Sequence, residues 1–584
     1  MVNLNIGSGN GNVFLKIENI SAKLAKNLHD TVLDLLEVAS YVYCADQAVS
    51  RGGMTIRSNG EDWRRRFHIA IPVRLPDLWN SSEIKSALEE TLGFLSDDHY
   101  DFKFTKLTSP SLVEQYFPFD NNAPWFKADT IALFSAGLDS LAGAVDEIVL
   151  QGMKPVLVSH RPVAKISTWQ TNLLKAFSEE LNFKQQFLHV PVWVNKYSGL
   201  THDTSQRSRS FLYGMLGAAL AIMQELDEVR FYENGIISSN LPFSDQVVGS
   251  RATRSTHPKA LKGFSKLVSV LVGKDFKFQN PYFWKTKSEV VQIIKSAGME
   301  KLIGFSRSCS HVRTAENIST HCGVCSQCVD RRIATAYNDL SAHDPAESYK
   351  IDLFSGRLEK TEDRTMVESI IRIAAEIEKM DDAAFFGRFP EATRIITHLD
   401  MSPSQAAKGL YDLYKRYSAQ VGAVVENQIH KHVPQIRKGE VPPNSLVGML
   451  LPKRTKSKGL GASGKRFLMP DGARWEDIRI TIVAKHTVRI AVKDKIGRFT
   501  AFDMGFRDDR RTDMPTVLWE TLEELAEGKG ILSWNRTGTT LPNLSKRMEL
   551  LGKTLQVFFG LSEKPFTRYQ KKSGYTSRFR ISWE

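Results

Sequence analysis

The chain has 584 residues, 42% hydrophobic and 24% charged, which describes a globular protein of several domains, since single cores rarely grow past about 250–300 residues. No run of about 18 apolar residues occurs, so no membrane span is expected, and the start Met1-Val2-Asn3-Leu4 lacks the charged and apolar regions of a secretory signal. The net charge is +13, and residues 451–584 hold 27 Lys and Arg against 15 Asp and Glu, an excess of 12. Five cysteines do not make a disulfide framework at this length; four crowd into one stretch, which suggests metal in a reducing cytoplasm.

Residues 1–125 read as a small α+β domain, with strands over 13–17, 64–73 and 101–107 and helices over 22–49 and 81–95. Cys44 lies among apolar residues and reads as core. Residues 126–345 alternate strand and helix. The stretch 128–134 reads as a buried strand, Ser135-Ala136-Gly137-Leu138-Asp139-Ser140 as a turn, and 138–150 as a helix. A helix start has unpartnered amides and a dipole that favours negative charge, so this turn is an anion site. Ala136 and Gly137 keep it free of bulk. No Gly-Lys-Ser/Thr follows, which excludes a Walker loop.

Further strands are expected over 155–159, 187–190 and 229–235, and helices over 167–181 and 208–225. This alternation predicts an α/β fold with a doubly wound parallel sheet. Ligands of such sheets sit beyond the carboxyl ends of the strands. That edge holds 135–140, Ser159-His160-Arg161-Pro162 and 235–244.

Cys309, Cys322, Cys325 and Cys328 form C-x12-C-x2-C-x2-C. Four thiolates so spaced can close a tetrahedron around zinc, with an iron–sulfur cluster or His321 as one ligand the alternatives. Such a site leaves no position for water and reads as structural. Residues 346–434 read as helices, chiefly 361–380 and 402–433, and 435–475 as a basic linker with Pro442-Pro443 and a Lys-, Gly- and Ser-rich run. In 476–584, strands over 478–484, 487–492 and 498–503, helices over 514–527 and around Leu544 to Phe558, and a hairpin over 566–581 resemble a basic winged-helix-like α+β domain. Arg568, Lys571, Lys572, Arg578 and Arg580 crowd that hairpin, and nucleic acid is the obvious acidic partner.

The turn at 135–140 resembles the pyrophosphate (PP) loop of the N-type ATP pyrophosphatases, Ser-Gly-Gly-x-Asp-Ser, with Ala136 at the first glycine. The cysteine corner followed by Val329-Asp330-Arg331-Arg332 adds to it, as do Arg209-Ser210-Phe211-Leu212, Gly235, and Asn280-Pro281 with Trp284, Lys287 and Glu289. Together these make 126–340 similar to the QueC family, the 7-cyano-7-deazaguanine synthases. The resemblance implies an adenine nucleotide alpha hydrolase-like fold that uses ATP, Mg²⁺ and Zn²⁺. It implies that Asp139, Ser140 and Lys287 are catalytic, that Ser135, Ala136, Gly137, Leu138, Asp139, Ser140 and Arg209 bind ATP, and that the four cysteines bind zinc.

That family adenylates 7-carboxy-7-deazaguanine and passes the acyl group to ammonia. Its pocket segments are replaced here, which leaves His160, Arg161, Asn240, Arg254 and His257 as substrate candidates. With its large flanks the chain resembles the extended QueC-like proteins of antiphage defence operons, such as the QatC proteins and the QueC-like members of some CBASS systems. In that setting the acceptor would be a protein amine from the same operon. The alternatives are a non-catalytic ATP-binding component, a nucleic-acid-binding defence component and a tRNA-modifying PP-loop enzyme.

Overall fold

Runs of branched apolar residues, alternating in direction, set the central sheet. In the computed structural model the strands of the larger part are β1 (Val13–Lys16), β2 (Arg66–Val73), β3 (His99–Lys106), β4 (Thr130–Leu133), β5 (Pro155–His160), β6 (Leu188–Lys196), β7 (Glu228–Arg230) and β8 (Lys277–Gln279). The structure describes residues 2–6, 11–16, 28–51, 64–108, 126–162, 164–182, 186–203, 207–242, 254–310, 320–451, 467–506, 515–533, 541–570 and 574–584. Two compact units divide the chain, Met1–Leu450 and Leu451–Glu584.

Six strands form one sheet in the order β1-β6-β5-β4-β7-β8, all parallel except β1, which runs antiparallel to β6. Successive side chains point to opposite faces. Ile131, Leu133, Val156 and Val158 therefore join one core, with the helices Asp30–Ala48, Arg209–Met223 and Pro258–Val272. Ala132 and Leu157 join the other, with the helices Leu138–Val145, Ala164–Glu180 and Lys287–Ser296. Both faces are covered, as the strand–helix alternation predicts.

The separate domain expected over 1–125 is corrected. β1 is an edge strand of the main sheet, and Leu35, Val38 and Val42 of Asp30–Ala48 share a core with Val156 and Phe211. That helix is apolar nearly all round, and such a helix is stable only when buried on most sides. Only β2 and β3 stand apart, as a parallel pair. The helical region packs onto the same unit: Ile370 and Ile373 of Thr361–Lys379 and Leu413 of Pro403–Lys431 share a core with Phe283 and Val329. The expected linker shrinks, because the short helices Val433–Lys438 and Leu446–Leu450 belong to the first unit. Its Lys-, Gly- and Ser-rich run, 452–466, lies outside the described residues.

The second unit contains β9 (Ile478–Ala484), β10 (Thr487–Val492), β11 (Lys495–Thr500), β12 (Ile531–Leu532), β13 (Tyr575–Thr576) and β14 (Arg580–Trp583). Its main sheet runs β11-β10-β9-β14, with β14 parallel to β9. The helices Val517–Glu527 and Leu541–Phe559 bury Trp519, Leu522, Leu551 and Leu555 against Ile480, Ile482, Val488 and Ile490. This corrects the winged-helix expectation. The three-stranded meander has one apolar face, and two helices cover it. The expected hairpin pairs antiparallel at Phe566–Ser577 and Gln570–Gly574, and the last strand, β14, then extends the main sheet.

Candidate functional site

The strand order reverses at one place. From β4 the chain winds outward through β5 and β6, and from β7 it winds the other way to β8. The crevice beyond the carboxyl ends of β4 and β7 is the usual ligand position in such sheets. Residues 135–140 follow β4 there. Ala136 takes φ +65°, a left-handed conformation that costs an L-residue roughly 1–2 kcal/mol. The Arg307 N–H holds it, donating to the Ala136 carbonyl at 2.8 Å. Gly137 is the N-cap of Leu138–Val145 and brings no side chain to the mouth of the turn. Ser140 Oγ accepts from the Ser135 N–H at 3.3 Å, donates to the Gly137 carbonyl at 3.1 Å and lies 3.2 Å from Ser135 Oγ. The Leu138 N–H reaches Ser308 Oγ at 3.4 Å. Two hydroxyls and the first amides of a helix thus meet at the turn.

Behind the turn lies an unbalanced set of charges. Lys287 Nζ, 3% exposed, donates to Asp139 Oδ2. Asp139 Oδ1 is buried and has no hydrogen-bond partner among the described residues. Glu233, three residues beyond β7, brings its carboxyl beside that of Asp139, and Asp330 is a third carboxyl in the set. Burial, and then the charge of Asp139, push the Glu233 carboxyl well above the usual range. Burial pushes Asp330 up to about 7, against the pull of Lys287. Burial opposes the charge on Lys287, but Asp139 and Glu233 outweigh it and hold the ammonium protonated. Two carboxyls meeting with no donor between them need a shared proton or a cation.

Each member is placed by its own element. Thr286 closes a capping box with Glu289 and so starts Lys287–Ser296 with Lys287 at its first turn. Thr286 Oγ1 also donates to Gln420 of the long helix Pro403–Lys431, whose Tyr417 hydroxyl donates to Asp330 at 3.4 Å. Gly235 fixes the chain after Glu233, since a Cβ there would sit 1.8 Å from the Phe283 carbonyl oxygen.

A second cluster flanks the first core. The Arg209 guanidinium, at the start of Arg209–Met223, lies 5.3 Å over the Tyr213 ring and donates to its hydroxyl at 3.3 Å. Among the described residues no carboxylate pairs with it. His160 is fully buried between the edges of Tyr43 and Tyr213, with Nε2 2.8 Å from the Val194 carbonyl and Nδ1 unpartnered. Burial, and then the Arg209 charge, lower its pKa to about 3, so the ring is neutral.

The four cysteines meet as the spacing predicts. Their sulfurs all lie within 4.8 Å of one another, with Cys322 Sγ and Cys328 Sγ at 3.8 Å. A tetrahedron with Zn–S of about 2.3 Å has edges of about 3.8 Å, so the group could hold zinc. The Cys325 N–H donates to Cys322 Sγ and the Cys322 N–H to Cys309 Sγ, bonds that favour thiolates. His321 is engaged elsewhere: its Nε2 accepts from the Ser308 N–H, Nδ1 meets Thr320 Oγ1, and the ring stacks on Tyr349. Cys309 directly follows the two residues that hold the turn, Arg307 and Ser308.

No protein-family model matches the chain, and no curated protein matches it either.

The remaining expected residues fall as follows. Arg161 donates to Gln170 and Thr171. Asn240 is the left-handed C-cap of Gly235–Ser239. Arg254 pairs with Asp97 at 2.8 Å and donates to the Phe94 carbonyl, and His257 caps Pro258–Val272 with its ring against Phe94. Both engage the Ser82–Ser96 helix and its C-cap. Glu233, Asp330 and Arg307 were not expected. A charge directly after the aromatic pair Phe231-Tyr232, and the acid in Val329-Asp330-Arg331-Arg332, were the signals for the first two. Arg331 and Arg332 are structural, paired with Asp344 and Asp352.

Proposed function

We propose that this chain is an ATP-dependent, AMP-forming ligase that activates a 7-deazaguanine carboxylic acid and transfers the acyl group to an amine, either ammonia or a protein amine. The observation that carries this reading is the unpartnered buried oxygen of Asp139. It sits among three carboxyls, directly behind a small-residue turn at the switch point of a parallel sheet. An anion-binding turn in front of a cation-binding acid is what a metal–polyphosphate needs.

In this reading the amides of Asp139 and Ser140, with the Ser135 and Ser140 hydroxyls, receive the phosphates. Asp139 and Glu233, with Asp330 behind, would hold Mg²⁺, which when bound neutralises charge on the departing pyrophosphate. Lys287 orients Asp139. The acid's carboxylate oxygen attacks the α-phosphorus and the bond to pyrophosphate breaks. The amine then attacks the acyl carbon, loses a proton and releases AMP. Arg209, which no carboxylate pairs among the described residues, would receive the acid or a phosphate. The cysteine corner takes no part in these steps; it fixes Arg307 and Ser308.

The test is incubation of the full chain with ATP, Mg²⁺ and 7-carboxy-7-deazaguanine, with ammonium or candidate protein acceptors. Pyrophosphate and AMP are expected only when the acid is present. Release with a different acid alone, or ATP binding with no turnover under any acid, overturns the assignment of substrate or of catalysis respectively.

A further inference from the structure

The second unit leaves one face of its main sheet uncovered by its own described residues. In β9, β10 and β14 the apolar residues Ile480, Ile490 and Ile581 alternate inward, so Arg479, Arg489 and Arg580 alternate outward. β11 adds Arg498 on the same side, because its register sets Arg498 opposite Arg489. Arg580 likewise lies beside Arg479. Neighbouring strands are about 4.8 Å apart, so each pair places two guanidinium groups side by side. Like charges in direct register destabilise a sheet, and here the arrangement occurs twice on one face.

Little in the unit offsets it. Arg489 meets Glu584 at 2.9 Å, both side chains more than half exposed. Arg479, Arg498 and Arg580 have no ion pair among the described residues. Between the arginines stand small or hydroxyl-bearing residues, Thr481, Ala491 and Ser582. The surface is therefore flat and basic, with hydroxyls at its centre. Ile496, 71% exposed opposite Ala491, is a large apolar group on it.

We propose that this sheet face binds nucleic acid, gripping the phosphate backbone through Arg479, Arg489, Arg498 and Arg580. A specific protein partner needs a buried apolar centre with large anchors, which this face lacks. A phosphate backbone needs closely set guanidinium groups, hydroxyl donors and room to approach, all of which it has. Ile496 can lie against a sugar or a base. The excess of 12 positive charges in residues 451–584 draws such a polyanion from a distance. The terminal hairpin contributes less than its sequence suggests: Arg578 pairs with Glu563 at 3.3 Å, and Lys571 and Lys572 lie outside the described residues.

The test uses the full chain and a labelled oligonucleotide of about 20 nucleotides, single-stranded or duplex, longer than a typical site of ~4–16. The double variant R479E/R498E turns both like-charge pairs into opposite-charge pairs, so its melting midpoint should rise or hold. Its binding should fall roughly ten-fold or more, and the slope of log K against log salt should flatten by about 1.5–3. The matched variant K529E/K546E, on or beside the two helices, should bind like the parent. Equal losses in both variants would mean diffuse charge and overturn the proposal. So would unchanged binding by R479E/R498E, or a preference of the parent for polyglutamate over both oligonucleotides.

Discussion

The first unit buries two clusters of charge, and they are built differently. In one, Arg65 reaches Asp46 and, at 2.7 Å, Asp98; Arg51 reaches Asp98 at 2.7 Å; and the Ser208 N–H and hydroxyl donate to Asp46 at 3.0 and 2.9 Å. Every carboxylate oxygen of Asp46 and Asp98 meets a donor. In the other, Asp139, Glu233 and Asp330 surround the Lys287 ammonium, and Asp139 Oδ1 meets no donor among the described residues. Buried charges are normally paired and hydrogen-bonded. The first cluster satisfies all its carboxylate oxygens and joins the helix Asp30–Ala48 to the starts of β2, β3 and the helix Arg209–Met223. The second leaves a carboxylate oxygen without a donor among the described residues, and it lies where a parallel sheet opens. Unsatisfied carboxylates at a switch point mark a ligand; satisfied ones mark a joint.

Breaking the joint should cost most. Arg65→Met leaves Asp46 and Asp98 short of donors and should lower stability by about 3–5 kcal/mol, read by chemical denaturation. Turnover per folded molecule should be unchanged; a selective loss of turnover would mean that the two clusters are not separate in function. At the second cluster the effects reverse. Asp139→Asn should reduce pyrophosphate release by roughly 10²–10³-fold. Its melting midpoint should move little, because Glu233 and Asp330 remain to balance Lys287. A variant that melts early and turns over normally would assign Asp139 to the joint class instead.

Ligand addition distinguishes the clusters again. Mg²⁺ at roughly a hundred times its Kd should stabilise the parent by about 2.7 kcal/mol, and R65M by the same increment. D139N should gain almost nothing in the same calorimetric series. The smallest effect is expected in the turn itself. Ala136→Gly relieves a left-handed alanine but adds glycine's entropy cost, a net gain of about 0.5–1 kcal/mol. Retained turnover in that variant would make the strain incidental to the chemistry; lost turnover would make it part of the site.

Much of this was legible in the sequence where the cause is local. The buried strand, the small-residue turn and the apolar helix after it are written in consecutive residues, and the Cys spacing nearly determines its own geometry. What failed depends on distant partners. The Ala136 carbonyl is held by the amide of Arg307, a residue no periodicity connects to the turn. Asp30–Ala48 was readable as a helix but not as a wall of the main sheet. Phe231 and Tyr232 read as strand, yet β7 stops at Arg230 because Asn234 caps a new helix. β11 was expected three residues late. The tight turn at Lys493, φ +51°, starts the return strand at Lys495, earlier than the apolar pattern suggests.

Residues 307–309 answer to two neighbours at once. Arg307 and Ser308 bond the turn through Ala136 and Leu138, and Cys309 bonds the corner. Three consecutive peptide units cannot move independently, so the turn inherits its position from sulfur atoms that never face it. Mutational effects across this segment should therefore fail to add. In a double-mutant cycle, Ser308→Ala and Cys309→Ser should show an interaction energy within about 0.5–3 kcal/mol, whereas either one paired with Arg65→Met should combine additively.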